Sequence, residues 1–110
     1  MQKLSLEALA RELLGRAAEA AGGRTAQTVV GGHERTLRQT VIAMVQDAAL
    51  TEHANPGEAS IYVLRGRVLL TAGDQAWEGR EGDFLIVPDA PHSLQAVQDA
   101  AVLLTVAKRA

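Results

Sequence analysis

The stretch Glu81-Gly82-Asp83-Phe84-Leu85-Ile86-Val87-Pro88-Asp89-Ala90-Pro91-His92 decides how the chain reads. Glu81-Gly82-Asp83 has turn chemistry, and an Asp at the third position can hydrogen-bond its own turn. Four apolar residues then run without interruption until Pro88, whose missing N–H ends a ladder. Short apolar runs between turn residues are strand signals.

Working outward, the same punctuation recurs. Ser60 to Leu64 and Val68 to Thr71 flank Arg65-Gly66-Arg67, where glycine permits a tight bend. Ala72-Gly73-Asp74-Gln75 is a second turn, ahead of a short strand around Trp77. Ser93 to Val97 and Ala101 to Ala107 follow, joined at Gln98-Asp99. Upstream, Thr25 to Val30 closes on Gly31-Gly32, and Thr36 to Val45 is a longer run rich in β-branched residues. Eight or so strands at this spacing predict an all-β fold, a closed barrel or a sandwich, because closure removes exposed edges.

Residues 5 to 21 predict the one helix. Ser5 is placed to cap it, and Glu7 sits in the first turn, where the helix dipole favours an acid. Leu6, Leu9, Leu13 and Ala17 recur at helical spacing, and Glu7–Arg11 and Glu12–Arg16 are i,i+4 pairs. Gly22-Gly23 then offers the positive φ that stops a helix. The apolar stripe packs on the strands or meets a second copy. The resulting organisation is a helix and cap over residues 1–24 and a β-domain over residues 25–110.

Composition narrows the function. At 110 residues and 47% hydrophobic, the chain is sized for one domain with its own core. A net charge of −2, with both signs interspersed, lacks the basic face that neutralises phosphates, so no nucleic-acid partner is expected. The absence of cysteine excludes disulfides, thiolate catalysis and thiolate metal sites. The start, Met1-Gln2-Lys3-Leu4, is not the apolar run of a signal peptide, and no stretch reaches membrane-spanning length, so no membrane partner and a cytoplasmic location are expected. Serines such as Ser60 and Ser93 have no recognisable partner base, and no phosphate-binding glycine loop is present.

The histidines, His33, His53 and His92, are the candidates for metal binding or proton transfer near neutral pH. His33 stands among Gly31, Gly32, Glu34 and Arg35 and reads as surface or interface. Asp47, Glu52, Glu58, Asp83 and Asp89 read as solvated loop acids. Tyr62 and Trp77 read as packing residues of a core or interface.

The surroundings of the other two histidines resemble the cupin family. That family's first motif has His-x-His, a loop, an acid, six residues and Gly; its second has Gly, five residues, Pro, a short turn and His. Gly82 to Pro88 matches the second spacing, with His92 after the turn, and Tyr62-Val63-Leu64-Arg65-Gly66 resembles the end of the first. The resemblance spans about residues 37 to 107. It implies a double-stranded β-helix barrel of jelly-roll type, here with the amphipathic helix in front, and a homodimer. It also implies a metal site of three histidines and a glutamate, from which this chain departs. Counted back from Gly66, the acid position falls on Ala59, with Glu58 one residue early, and the second His of His-x-His falls on Asn55. Alternation along a strand turns Glu58 away from the side that Ala59 faces, unless a bulge near Pro56-Gly57 restores it as a ligand. Two imidazoles and an amide are a poor set for zinc, iron or nickel.

The expected site is therefore a pocket at His53, Asn55, Ala59 and His92 that takes a small polar molecule. A weakly held divalent metal on His53 and His92, with Glu58 in reserve, is the expected cofactor if one binds. The alternative is a metal-dependent enzyme of dioxygenase or isomerase type, and the third reading is a barrel whose interior is only core.

Overall fold

The computed structural model describes residues 2–53 and 57–108. A helix, α1 (Leu6–Ala17), and a single 3-10 turn at Ala21–Gly23 precede the strands. These are β1 (Arg24–Val30), β2 (Leu37–Met44), β3 (Ala49–His53), β4 (Gly57–Arg65), β5 (Arg67–Ala72), β6 (Gln75–Arg80), β7 (Phe84–Ile86), β8 (His92–Ala96) and β9 (Ala100–Lys108). They form a five-stranded sheet in the order β1-β2-β9-β4-β7 and a four-stranded sheet in the order β3-β8-β5-β6. Every pairing is antiparallel. The fold is a jelly-roll sandwich of two facing sheets rather than one hydrogen-bonded cylinder.

Alternation along the strands divides the apolar residues between two cores. Ile42 and Met44 of β2, Ile61 and Val63 of β4, and Val102 of β9 point between the sheets and meet Val68, Leu70 and Leu94 of the other sheet. Val41, Ala43 and Ala101, one residue out of phase, point the other way and meet Ala10, Leu13 and Ala17 of α1. The helix thus spends its apolar stripe on its own sheet.

Ser5 caps α1 by accepting the Ala8 N–H at 3.1 Å, and Glu12 pairs with Arg16. The helix ends at Ala17, four residues before the expected Ala21. Its exit is tightened by bonds from the Glu19 N–H to the Arg16 carbonyl and from the Ala20 N–H to the Ala17 carbonyl, three residues apart. Gly22 and Gly23, at φ 78° and 67°, then turn the chain into β1. The Thr25 hydroxyl donates to the Leu13 carbonyl at 3.0 Å and holds β1 beside the helix.

Gly66 joins the β4–β5 turn to the β8–β9 turn. It has φ 73°, and a Cβ there would stand 2.0 Å from the Asp99 carbonyl oxygen. Asp99 in turn accepts the Gln46 N–H at 2.8 Å, so three connections are locked together at this end of the sandwich.

Candidate functional site

The expected site lies where β3 ends and β4 and β8 begin. The Val87 N–H donates to the Ala59 carbonyl at 3.0 Å, tying the exit of β7 to the first residues of β4. Only Pro88 to Pro91 then separate Val87 from His92, so the second motif delivers its histidine to the end that Ala59 occupies. The Ala90 N–H bonds to the Pro88 carbonyl at 2.8 Å and folds this connection tightly.

His92 is 6% exposed and is the buried ionisable side chain among the described residues. Its Nδ1 lies 3.0 Å from the Ala90 carbonyl oxygen. A carbonyl only accepts, so Nδ1 carries the hydrogen, and in the neutral ring Nε2 is the acceptor nitrogen. The tautomer therefore follows from a turn only two residues upstream.

His53 is the backbone partner of His92 across β3 and β8. The register shifts between Leu50 and His53: three steps along β3 match two along β8. The extra residue brings His53, rather than Glu52, opposite His92. No local pattern in the sequence signals this irregularity, and it is what matches the two histidines. The side chains of Glu52 and His53, together with Asn55, lie outside the described residues.

Ala59 is half-buried and packs against the inner core, whereas Glu58 is exposed. From Gly57 to Val63 the β4–β9 register runs without a break, Glu58 facing Ala107 and Ala59 facing Val106. No bulge in that segment turns Glu58 inward. Among the described residues, no three of His, Cys, Asp and Glu converge as metal ligands. The described donors at this end do not fit the complete four-ligand centre that the motif implies.

The remaining candidates fall elsewhere. His33 is exposed, as are Asp47, Asp83 and Asp89. Asp83 does the turn work expected of it, its Oδ2 accepting the Arg80 N–H at 2.9 Å. Tyr62 and Trp77 are not core residues, at 40% and 42% exposure. Two open surface grooves, of about 440 Å³ beside Leu14, Arg65 and Asp99 and about 380 Å³ beside Leu4, Val29 and Leu103, are lined by neither His92 nor Ala59.

A family model described as a cupin domain matches residues 40–107. Among solved structures, a protein of unknown function from Streptococcus pyogenes is 27% identical with a TM-score of 0.72, over 79% of this chain and 75% of that one. An RmlC-like cupin protein from Desulfovibrio desulfuricans is 26% identical with a TM-score of 0.67, over 76% and 81%. A salicylate 1,2-dioxygenase from Pseudaminobacter salicylatoxidans has a TM-score of 0.77 at 19% identity, over 91% of this chain and 33% of that one, a likeness of fold alone. No curated protein matches the chain.

Proposed function

This chain belongs to the cupin domain family, and from that premise we propose that it is a binding module, taking a small polar molecule at the His53 and His92 end of the sandwich. The observation that carries this reading is His92 itself. A buried imidazole, oriented by the Ala90 carbonyl, stands at the position where the family's second motif places a ligand. His53, its backbone partner across β3 and β8, is the second polar residue of the proposed site. The acid position is a methyl group at Ala59, which favours hydrogen bonding to a hydroxyl or amine over tight metal chelation.

The alternative, a metal-dependent enzyme of dioxygenase or isomerase type, draws support from the same pair of histidines. In that reading they would hold a divalent ion, with water completing its shell.

A thermal-shift screen of small acids, sugars and amines tests the first reading. A ligand that binds only the folded state raises the melting temperature. The expected result is at least one compound that stabilises the wild type but not the His53→Ala/His92→Ala double variant. If no compound acts, or the double variant responds as the wild type does, the site is wrongly assigned. Metal analysis after incubation with nickel, zinc, iron or manganese addresses the second reading, which requires near-stoichiometric uptake.

A further inference from the structure

We propose that Trp77 is the stacking wall of the His53 and His92 site, and that the ligand is a small aromatic ring bearing a polar substituent. This rests on the binding reading of that site; it adds the class of molecule and the residue that selects it.

The strand register places Trp77 on the inner side of its sheet. Trp77 pairs with Leu70 across β5 and β6, and Leu70 belongs to the inner core. Side chains paired across an antiparallel ladder share a face, so the indole points between the two sheets. Glu78, the next residue, turns outward and pairs with Arg67 at 3.1 Å. Gly79 returns to the inner face and is buried. β6 and β7 are end strands of their respective sheets, and at Gly79 the two edges close on each other. A Cβ on Gly79 would stand 3.0 Å from Leu85 Cδ1 and 3.1 Å from Val63 Cγ2. Two residues earlier the same face carries an indole, and the gap there leaves it 42% exposed. The side of the sandwich is therefore shut at Gly79 and open at Trp77.

The opening leads to His92. Leu70 pairs with Leu94 and Thr71 with Ser93, so the next pair along is Ala72 with His92. Gln75, exposed at the rim, faces Ala72 from β6. Two strand spacings and one two-residue step separate Trp77 from His92, about 12 Å between Cα atoms. The residue between them, Ala72, contributes only a methyl group. One substituted six-membered ring, with contacts of about 3.5–4.0 Å at each end, fills such a span. The facing wall is apolar, made by Leu85, Val87 and Ala59. Polar partners thus stand at His92 and at the rim, with apolar surface between. A sugar would lay hydroxyls against Leu70, Leu85 and Val87 without partners, which is costly. A flat ring covers that surface and stacks on the indole.

Trp77 is the only tryptophan, so the isotope-labelled full chain gives one indole N–H resonance, and it belongs to this residue. Titration with phenol and benzyl alcohol, against their saturated counterparts cyclohexanol and cyclohexylmethanol, tests the proposal. At least one aromatic should shift the Trp77 indole and the His92 amide together, saturably and with one Kd. Its saturated counterpart should bind roughly tenfold more weakly, as should the aromatic to Trp77→Ala, and Trp77→Phe should recover most of the loss. Trp77 is exposed enough that both substitutions leave the fold intact, which circular dichroism checks. A saturable shift at His92 with the indole unmoved, a Trp77→Ala protein that binds as wild type does, or equal affinity for the saturated ring would overturn the stacking role and leave the site standing. A shift at Trp77 that does not extend to His92 would mark a surface contact and overturn it too. If neither aromatic moves either residue, the proposal fails; the thermal-shift screen of acids, sugars and amines then decides separately whether the site binds anything.

Discussion

Glu58 and Ala59 are neighbours in the chain that face opposite sides of β4: Glu58 is exposed, and Ala59 packs against the inner core. One residue of phase therefore separates a carboxylate in water from a methyl group at the acid position of the family motif. Moving the carboxylate by that one residue should change the chemistry of the site. Ala59→Glu is expected to destabilise the metal-free protein by about 1–3 kcal/mol, because an acid is taken partly out of water without a partner. Added nickel or zinc should then raise its melting temperature well above the response of the wild type. Glu58→Gln should alter stability by less than about 0.5 kcal/mol and leave the metal response unchanged. Thermal unfolding with and without metal reads both; an Ala59→Glu protein indifferent to metal would mean that residue 59 does not face the histidines.

The hydrogen bond from the His92 ring to the Ala90 carbonyl predicts a different separation of effects. His92→Ala removes a buried ring and should cost about 1–3 kcal/mol. His92→Gln keeps a polar side chain at this buried position, and is expected to recover part of that loss without restoring any ligand response. Denaturant unfolding combined with the ligand screen distinguishes them. Equal ligand responses in wild type and His92→Gln would show that the imidazole is not the recognition group.

Gly66 faces a steric limit. Its φ of 73° and the 2.0 Å approach of a Cβ to the Asp99 carbonyl leave no room for a side chain. Gly66→Ala should cost more than about 3 kcal/mol, since backbone must move on both sides of the contact. Gly73→Ala is the comparison: its φ is also positive, at 60°, but a Cβ there meets nothing within 4 Å, so only the conformational strain remains, about 1 kcal/mol. Comparable losses in the two variants, measured by denaturant unfolding, would count against the contact.

The second motif was readable because its local chemistry and its role coincide. Gly82 and Asp83 make the turn, Phe84 to Ile86 make the strand, and Pro88 ends the segment. β3 was not readable, since Ala49-Leu50-Thr51-Glu52-His53 has no alternating apolar signature and depends on its pairing with β8. The shift that matches His53 with His92 is likewise a product of long-range pairing, which a local pattern does not encode. The helical pattern runs past the true end of α1 because Ala18, Ala20 and Ala21 favour helix, while the path into β1 requires the turn to begin earlier. Tyr62 and Trp77 look like packing residues by type, but whether a strand face is covered depends on where the helix lies. Here α1 covers the β2 and β9 part of the outer face and leaves Tyr62 open.

That division of the outer face makes Leu13 a measure of how far the helix belongs to the domain. Leu13 is 1% exposed, and its helix packs against Val41, Ala43 and Ala101 of the sheet's outer face. Leu13→Ala should cost about 2–5 kcal/mol, the range for emptying a large buried site. If α1 and the sandwich unfold as one unit, a single transition should shift to lower denaturant with its slope unchanged. The inner core shares none of the residues around Leu13. The loss should therefore add to that of Val63→Ala, because substitutions without common neighbours act independently. A Leu13→Ala protein whose helical signal melts before its strands would show instead that α1 is a separable layer.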